Sequence, residues 1–225
     1  MSKTREPQYQ SCVDIRDQLG LTKLGLMSNN VWHDDPKRLV FLLSRYKFVA
    51  KMFSGMKNVL EIGCADAFGT RIVLQEVGRI TAIDFDPVFV QDALERMDKE
   101  WAFECTVHDM LAGPVDGPFD AAYSLDVLEH IAKQNEAAFV SNIAKSLVPQ
   151  GVLIIGTPSL QSQTYASPGS KEGHVNCKDA LELKALLLHF FQNVFIFSMN
   201  DEVVHTGFYP MANYLFALCV GLRKK

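Results

Sequence analysis

The chain has 225 residues, 48% apolar and 21% charged, which fits one folded domain and excludes disorder over most of its length. Its formal net charge of −4, with Lys and Arg scattered, gives no electrostatic footprint for nucleic acid, so a small-molecule partner is expected. Five dispersed cysteines (Cys12, Cys64, Cys105, Cys177, Cys219) form no C-x-x-C pair and read as reduced thiols. The polar start "MSKTREPQYQ" has no apolar segment of signal-peptide length, and the longest apolar run, near Tyr214 to Leu222, is too short to span a membrane. The expectation is a soluble, cytoplasmic protein of bacterial type.

Residues 1 to 35 are mixed and partly polar. Asp35-Pro36 then opens an amphipathic helix, with Leu39, Leu42, Leu43, Tyr46, Val49 and Phe53 at three- and four-residue steps, Asp35 as cap and Pro36 at the first helical position. After Gly55 short apolar runs alternate with helical ones. Strands are expected at Asn58 to Ile62, Arg79 to Ile83, Phe103 to Val107, Phe119 to Ser124, Gly151 to Gly156, Val194 to Met199 and Tyr214 to Gly221. Helices are expected at Gly69 to Val77, Pro87 to Lys99, Asn135 to Leu147 and Lys178 to Phe190. This alternation predicts an α/β, Rossmann-like, doubly wound sheet of seven strands, mostly parallel with the last antiparallel, and helices on both faces. The organisation expected is a single domain: a helical extension over 1–55, a cofactor-binding core over 56–157, and substrate loops with the last strands over 158–225.

The stretch "NVLEIGCADAFGTR" runs from a buried strand into a turn. Gly63 follows the strand directly and lets backbone approach a ligand closely, while Gly69 opens the next helix. Twenty-one positions after Gly63, Asp84 ends the second strand at the spacing of an acid that accepts from ribose hydroxyls. Capping of the following helix is the competing role for Asp84, though Asp86, directly before Pro87, is the better placed capper. A dinucleotide turn asks for G-x-G-x-x-G, and the matching positions here hold Gly63, Ala65 and the bulky Phe68, which disfavours a nicotinamide cofactor.

At this point the sequence resembles the class I S-adenosylmethionine-dependent methyltransferases. Glu61, Gly63 and Cys64 match the first motif of that family, with Ala65 and Ala67 where glycines are commoner. "CTVHDM" matches the family segment whose acid, here Asp109, lies beside the adenine amino group with Met110 against the ring, capping of a turn being the competing role for Asp109; "FDAAYSLDVLEHI" carries the "LEHI" signature, and "LVPQGVLIIGTPS" resembles the fifth strand with its Pro-x-Gly turn. The resemblance covers residues 58 to 157. It implies S-adenosylmethionine as cofactor, held by Glu61, Gly63, Cys64, Ala65, Asp84, Phe85, Asp109, Met110, Ser124 and Leu125.

Two long connections, Thr157 to Cys177 and Asn200 to Asn213, follow strands at their expected carboxyl ends, where ligands of open α/β sheets sit. They supply the candidate bases His174 and His205, to which His130 is added, because imidazole titrates near neutrality. Each histidine has a purely structural alternative. Glu129, Tyr165, Asn176, Asp201 and Glu202 are candidates for substrate contact. No metal site is assigned, since no H-x-x-E-H spacing is present, although Asp126, Glu129, His130 and the loop residues could meet in a metal-assisted variant. The N-terminal helix, with Trp32, His33 and Arg45, is expected to pack across the cleft as a lid or homodimer surface, a simple covering of the sheet being the alternative.

The function expected is methyl transfer to a small molecule or sugar, at oxygen more than nitrogen. The alternatives are a cofactor-binding regulator without turnover and a nicotinamide-dependent oxidoreductase.

Overall fold

A computed structural model describes residues 3–223. All the strands among these residues join one sheet. In chain order the elements are α1 (Gln10–Leu19), α2 (Leu26–Asp34), α3 (Lys37–Met52), β1 (Asn58–Ile62), α4 (Thr70–Leu74), β2 (Arg79–Asp84), α5 (Pro87–Arg96), β3 (Glu104–Val107), β4 (Phe119–Leu125), α6 (Glu136–Ser146), β5 (Leu147–Pro158), α7 (Pro168–Gly173), α8 (Ala180–Leu188), β6 (Phe191–Asn200), β7 (Val203–His205) and β8 (Tyr214–Leu222).

The sheet order is β3-β2-β1-β4-β5-β8-β6-β7. Strands β1 to β5 run parallel, β8 is inserted antiparallel between β5 and β6, and β7 is antiparallel on β6. The α/β, doubly wound expectation therefore holds, but the strand count is eight rather than seven. The extra strand is β7, which lies inside the long connection expected between Asn200 and Asn213. Its hairpin turn is Asp201-Glu202, with Asn200 paired to Val203 and Asp201 at φ +51°. Asp201 suits the turn, but Glu202 stands where the Asp-Gly signal of a tight hairpin has glycine, and that is why the turn is weakly marked in the sequence.

Period-two alternation explains how the sheet is covered. Along β1, Leu60 and Ile62 point into a core shared with Phe139, Val140 and Ile143 of α6 and Leu183 and Leu187 of α8. Val59 points to the other face, against Tyr46 and Val49 of α3, Val73 of α4 and Val90 and Ala93 of α5. Buried on both faces, the central strands read as continuous apolar runs. Helix α3 begins at Lys37, one residue later than expected, with Pro36 at the cap position; the Asp35 carboxylate still accepts from the Lys37 N–H at 3.2 Å. Asp86 caps α5 by accepting from the Val88 N–H at 2.9 Å, as its place before Pro87 predicts. The five cysteines are free thiols. Among the described residues no helix is long and apolar enough to cross a membrane.

The chain order reverses at β1, which pairs with β2 on one side and β4 on the other. A crevice outside the carboxyl ends of β1 and β4 is where ligands of this architecture collect.

Candidate functional site

The turn after β1 is closed on itself. The N–H groups of Gly63 and Cys64 both donate to Ile83 O, at 2.8 and 3.0 Å, and that of Ala67 to Cys64 O at 2.8 Å. Ala65 N–H donates to the Asp84 carboxylate at 2.8 Å, and Phe68 N–H to that of Asp66 at 3.1 Å. None of these five donors is free for a pyrophosphate, which removes them from any anion cradle at this turn. Gly63 (φ +75°), Ala65 (+46°) and Ala67 (+52°) all adopt the left-handed region, which costs an L-residue about 1 to 2 kcal/mol. The alanines thus keep glycine-like backbone at a cost. A Cβ at Gly63 would lie 2.2 Å from Val127 Cγ2, so the bare position also serves packing between the β1 and β4 loops.

Glu61 lies beneath this turn. It is 1% exposed and accepts the Thr70 hydroxyl at 2.6 Å, tying β1 to the first turn of α4, with Tyr46 and Tyr123 alongside. Burial pushes its carboxyl up to about 7. Because the folded state favours the protonated form, the stability this provides is full below the unfolded value of roughly 4.3 and is lost as pH rises through about 7. Glu61→Gln is therefore expected to gain on the order of 2 kcal/mol over wild type at pH 8 and little at pH 4.5. Urea unfolding at the two pH values measures this; an equal difference at both would remove Glu61 as the cause.

At the end of β2, Asp84 is 6% exposed and accepts from both Ala65 N–H and Asp86 N–H, at 2.8 and 3.0 Å. Its remaining lone pairs are available to further donors. Phe85 beside it is 74% exposed. After β3, Asp109 is exposed and accepts from Leu111 N–H at 2.8 Å, while Met110 is buried and its carbonyl accepts from Asn142. On β4, Ser124 lies opposite Ile62 of β1 and its buried hydroxyl has no hydrogen-bond partner; Leu125 is buried next to it.

A second group forms where β4 and β5 end. Glu129 and His130 lie in a 3₁₀ turn over Leu128–His130, and His174 follows α7; one donor atom from each falls within 4.8 Å of the others. Glu129 is 1% exposed, with one oxygen accepting from the Thr157 hydroxyl of β5 at 3.1 Å and Oε1 buried without a partner. Burial, then the nearby Asp126 charge, pushes its carboxyl up to about 8. His130 Nδ1–H donates to Gly173 O and His174 Nδ1–H to Gln163 Oε1, each at 2.9 Å. Gln163 Nε2 in turn donates to Ser159 O at 3.3 Å, which sets the orientation of that amide. The two imidazoles meet edge to face at 5.1 Å, and burial together with His130 lowers the pKa of His174.

Arg45 of α3 reaches over this end of the sheet. It donates to both oxygens of Asp126, at 2.7 and 2.6 Å, and stacks 3.9 Å from the Tyr214 ring. Asp126 is held at φ +57° directly after β4. In the sequence Arg45 stands out only as part of a covering helix. Its signal was position: it shares the apolar stripe of Leu42 and Val49, where a charge needs a partner. Thr157 and Gln163, which position Glu129 and His174, carried no signal.

Asn176 flanks the Glu129–His130–His174 group, its N–H donating to Glu129 O at 3.0 Å, while the other candidates lie elsewhere. Asn176 is buried, donates to Glu136 at 2.8 Å and accepts from the buried Lys178 at 3.1 Å, locking its loop to α6. His205, Asp201 and Glu202 belong to the β6–β7 hairpin, and β7 lies three strands beyond β5, about 14 Å away at ~4.8 Å per strand. His205 Nε2 engages Asn200 Oδ1 at 2.9 Å and its Nδ1 accepts from Gly207 N–H at 3.0 Å, so it ties its own loop. Tyr165, in a 3₁₀ turn over Gln161–Tyr165, is 88% exposed.

Residues 59–151 match the family model described as a methyltransferase domain. The chain is 26% identical over 169 residues to the mitochondrial ubiquinone biosynthesis O-methyltransferase of Arabidopsis thaliana, a match covering 65% of this chain and 51% of that one. It is 27% identical over 167 residues to the ubiquinone biosynthesis O-methyltransferase of Xanthomonas campestris, covering 71% and 69%. This chain thus spans about half the length of the plant relative. Among solved structures, the N-methyltransferase NodS from Bradyrhizobium japonicum in complex with S-adenosyl-L-homocysteine shares the fold, with a TM-score of 0.63 at 20% identity over 84% of this chain and 90% of that one. Residues 59–151 thus carry a methyltransferase domain whose relatives are S-adenosylmethionine-dependent methyltransferases, and these findings support S-adenosylmethionine as the cofactor.

Proposed function

We propose that the chain methylates a hydroxyl oxygen of a small molecule, a sugar being one such acceptor. The observation that carries this reading is the Glu129–His130–His174 group at the carboxyl ends of β4 and β5, one strand from the Gly63 turn. An oxygen nucleophile has a proton to lose, and this group is where it leaves; an amine acceptor would need less assistance. The O-methyltransferase relatives support the same chemistry.

The cofactor fits the residues present. Asp84 would accept from its ribose hydroxyls, Phe85 offers an exposed apolar face, the orphaned Ser124 hydroxyl awaits a partner, and the turn with its N–H groups already engaged suits a ligand without phosphate. When bound, S-adenosylmethionine supplies a methyl group on sulfonium sulfur for in-line displacement. The protein's part is to align the acceptor, exclude bulk water from the sulfonium and ease the loss of the hydroxyl proton.

Incubation with S-adenosylmethionine labelled in its methyl group, against panels of hydroxylated and aminated acceptors, tests the proposal. Label is expected in hydroxyl-bearing acceptors. His174→Ala should lower turnover roughly 100- to 1000-fold, the range of lost assistance to proton removal, with cofactor affinity unchanged. Label confined to amines would overturn the assignment to oxygen.

A further inference from the structure

The geometry points to a divalent cation site formed by Glu129, His130 and His174, which activates the acceptor hydroxyl; this deepens the O-methylation proposed above and rests on it. Three features of the group argue for metal rather than for a free imidazole base. First, its donors converge: one atom from each side chain lies within 4.8 Å of the others, close to the roughly 4 Å width of a coordination sphere with bonds of ~2.1 Å. Second, both imidazoles have Nδ1 committed, to Gly173 O and to Gln163 Oε1, which leaves each Nε2 without a hydrogen-bond partner. A second hydrogen bond of this kind fixes the tautomer and orientation of a metal-binding histidine. Third, Glu129 Oε1 is buried with no partner, while its sister oxygen is held by Thr157. A buried carboxylate oxygen with nothing to accept from is costly, and a cation beside it removes that cost.

The surroundings hold the donors in place. Asn176 N–H donates to Glu129 O at 3.0 Å, and the Asn176–Lys178–Glu136 network anchors the segment that follows His174. Two imidazoles and one carboxylate leave open positions on the ion and suit Mn²⁺, Fe²⁺, Co²⁺ or Zn²⁺ better than Ca²⁺. A hydroxyl placed against such a cation loses its proton to water near neutral pH. In the transfer that follows, the O–CH₃ bond forms as the S–CH₃ bond breaks, and the bonding pair returns to sulfur, leaving a neutral thioether. Asp126 is not among the converging donors, and its carboxylate is paired with Arg45.

The test is Mn²⁺ binding to the chelator-stripped full chain, followed by electron paramagnetic resonance, with S-adenosylmethionine calorimetry on the same samples. One Mn²⁺ per chain is expected. His130→Ala and His174→Ala should each weaken binding at least tenfold, while His205→Ala, outside the group, leaves it unchanged. His130 is exposed, so its variant keeps the fold even where Glu129→Gln does not. Absence of stoichiometric Mn²⁺, or affinity undiminished in both histidine variants, overturns the site. If S-adenosylmethionine still binds in that case, the methyltransferase reading stands without the cation.

Discussion

Gly63→Ala is expected to destabilise the fold by about 3 kcal/mol and to weaken S-adenosylmethionine binding at least tenfold. Two costs combine. The backbone at Gly63 has φ +75°, where an L-residue loses about 1 to 2 kcal/mol, and the new Cβ would lie 2.2 Å from Val127 Cγ2, an overpacking worth roughly 1 to 3 kcal/mol. Pairing the change with Val127→Ala removes the clashing methyl and leaves the backbone cost. The double variant should therefore recover about half of the loss in urea unfolding, a coupling that a double-mutant cycle reads directly. Stability of Gly63→Ala within about 0.5 kcal/mol of wild type would contradict the packing described between the β1 and β4 loops.

Asp84→Ala is the second large effect. The carboxylate has two tasks: it holds the turn through Ala65 N–H and Asp86 N–H, and it is proposed to accept from the cofactor's ribose. Removing it leaves two backbone donors without their acceptor, for a stability loss of about 2 kcal/mol, and weakens cofactor binding by about 1 to 3 kcal/mol, the scale of a lost charged hydrogen bond. Asp84→Asn retains one acceptor oxygen and should fall between the two in unfolding and in calorimetry. Unchanged affinity in Asp84→Ala would remove this residue from the site.

The parts of the molecule visible in the sequence are those governed by short-range rules. Val59 to Ile62 read as a buried strand because alternate residues face two covered sides, and Asp86 read as a cap because it precedes Pro87. Gly63 was legible as an obligatory glycine, but for an incomplete reason: close approach of a ligand was inferred, whereas the Cβ that is missing would strike Val127, more than sixty residues away in the chain. Ala65 and Ala67 looked like departures from a glycine pattern, and their φ angles show that the backbone pattern is kept. What remained hidden depends on tertiary placement. Glu129 and His130 are neighbours in sequence, but nothing in the spacing says that His174 joins them with its side chain, that Asn176 meets Glu129 only through its backbone, or that His205 stays away. The β6–β7 hairpin that carries His205 away is closed by Asp201-Glu202, a turn weakly marked in the sequence.

Calorimetric titration of the chain with S-adenosylmethionine, S-adenosylhomocysteine and NADH tests the central claim most directly. The turn after β1, with five N–H groups already engaged, together with Asp84, predicts binding of the first two and no response to NADH. Tight NADH binding with silence from both sulfur ligands would contradict it.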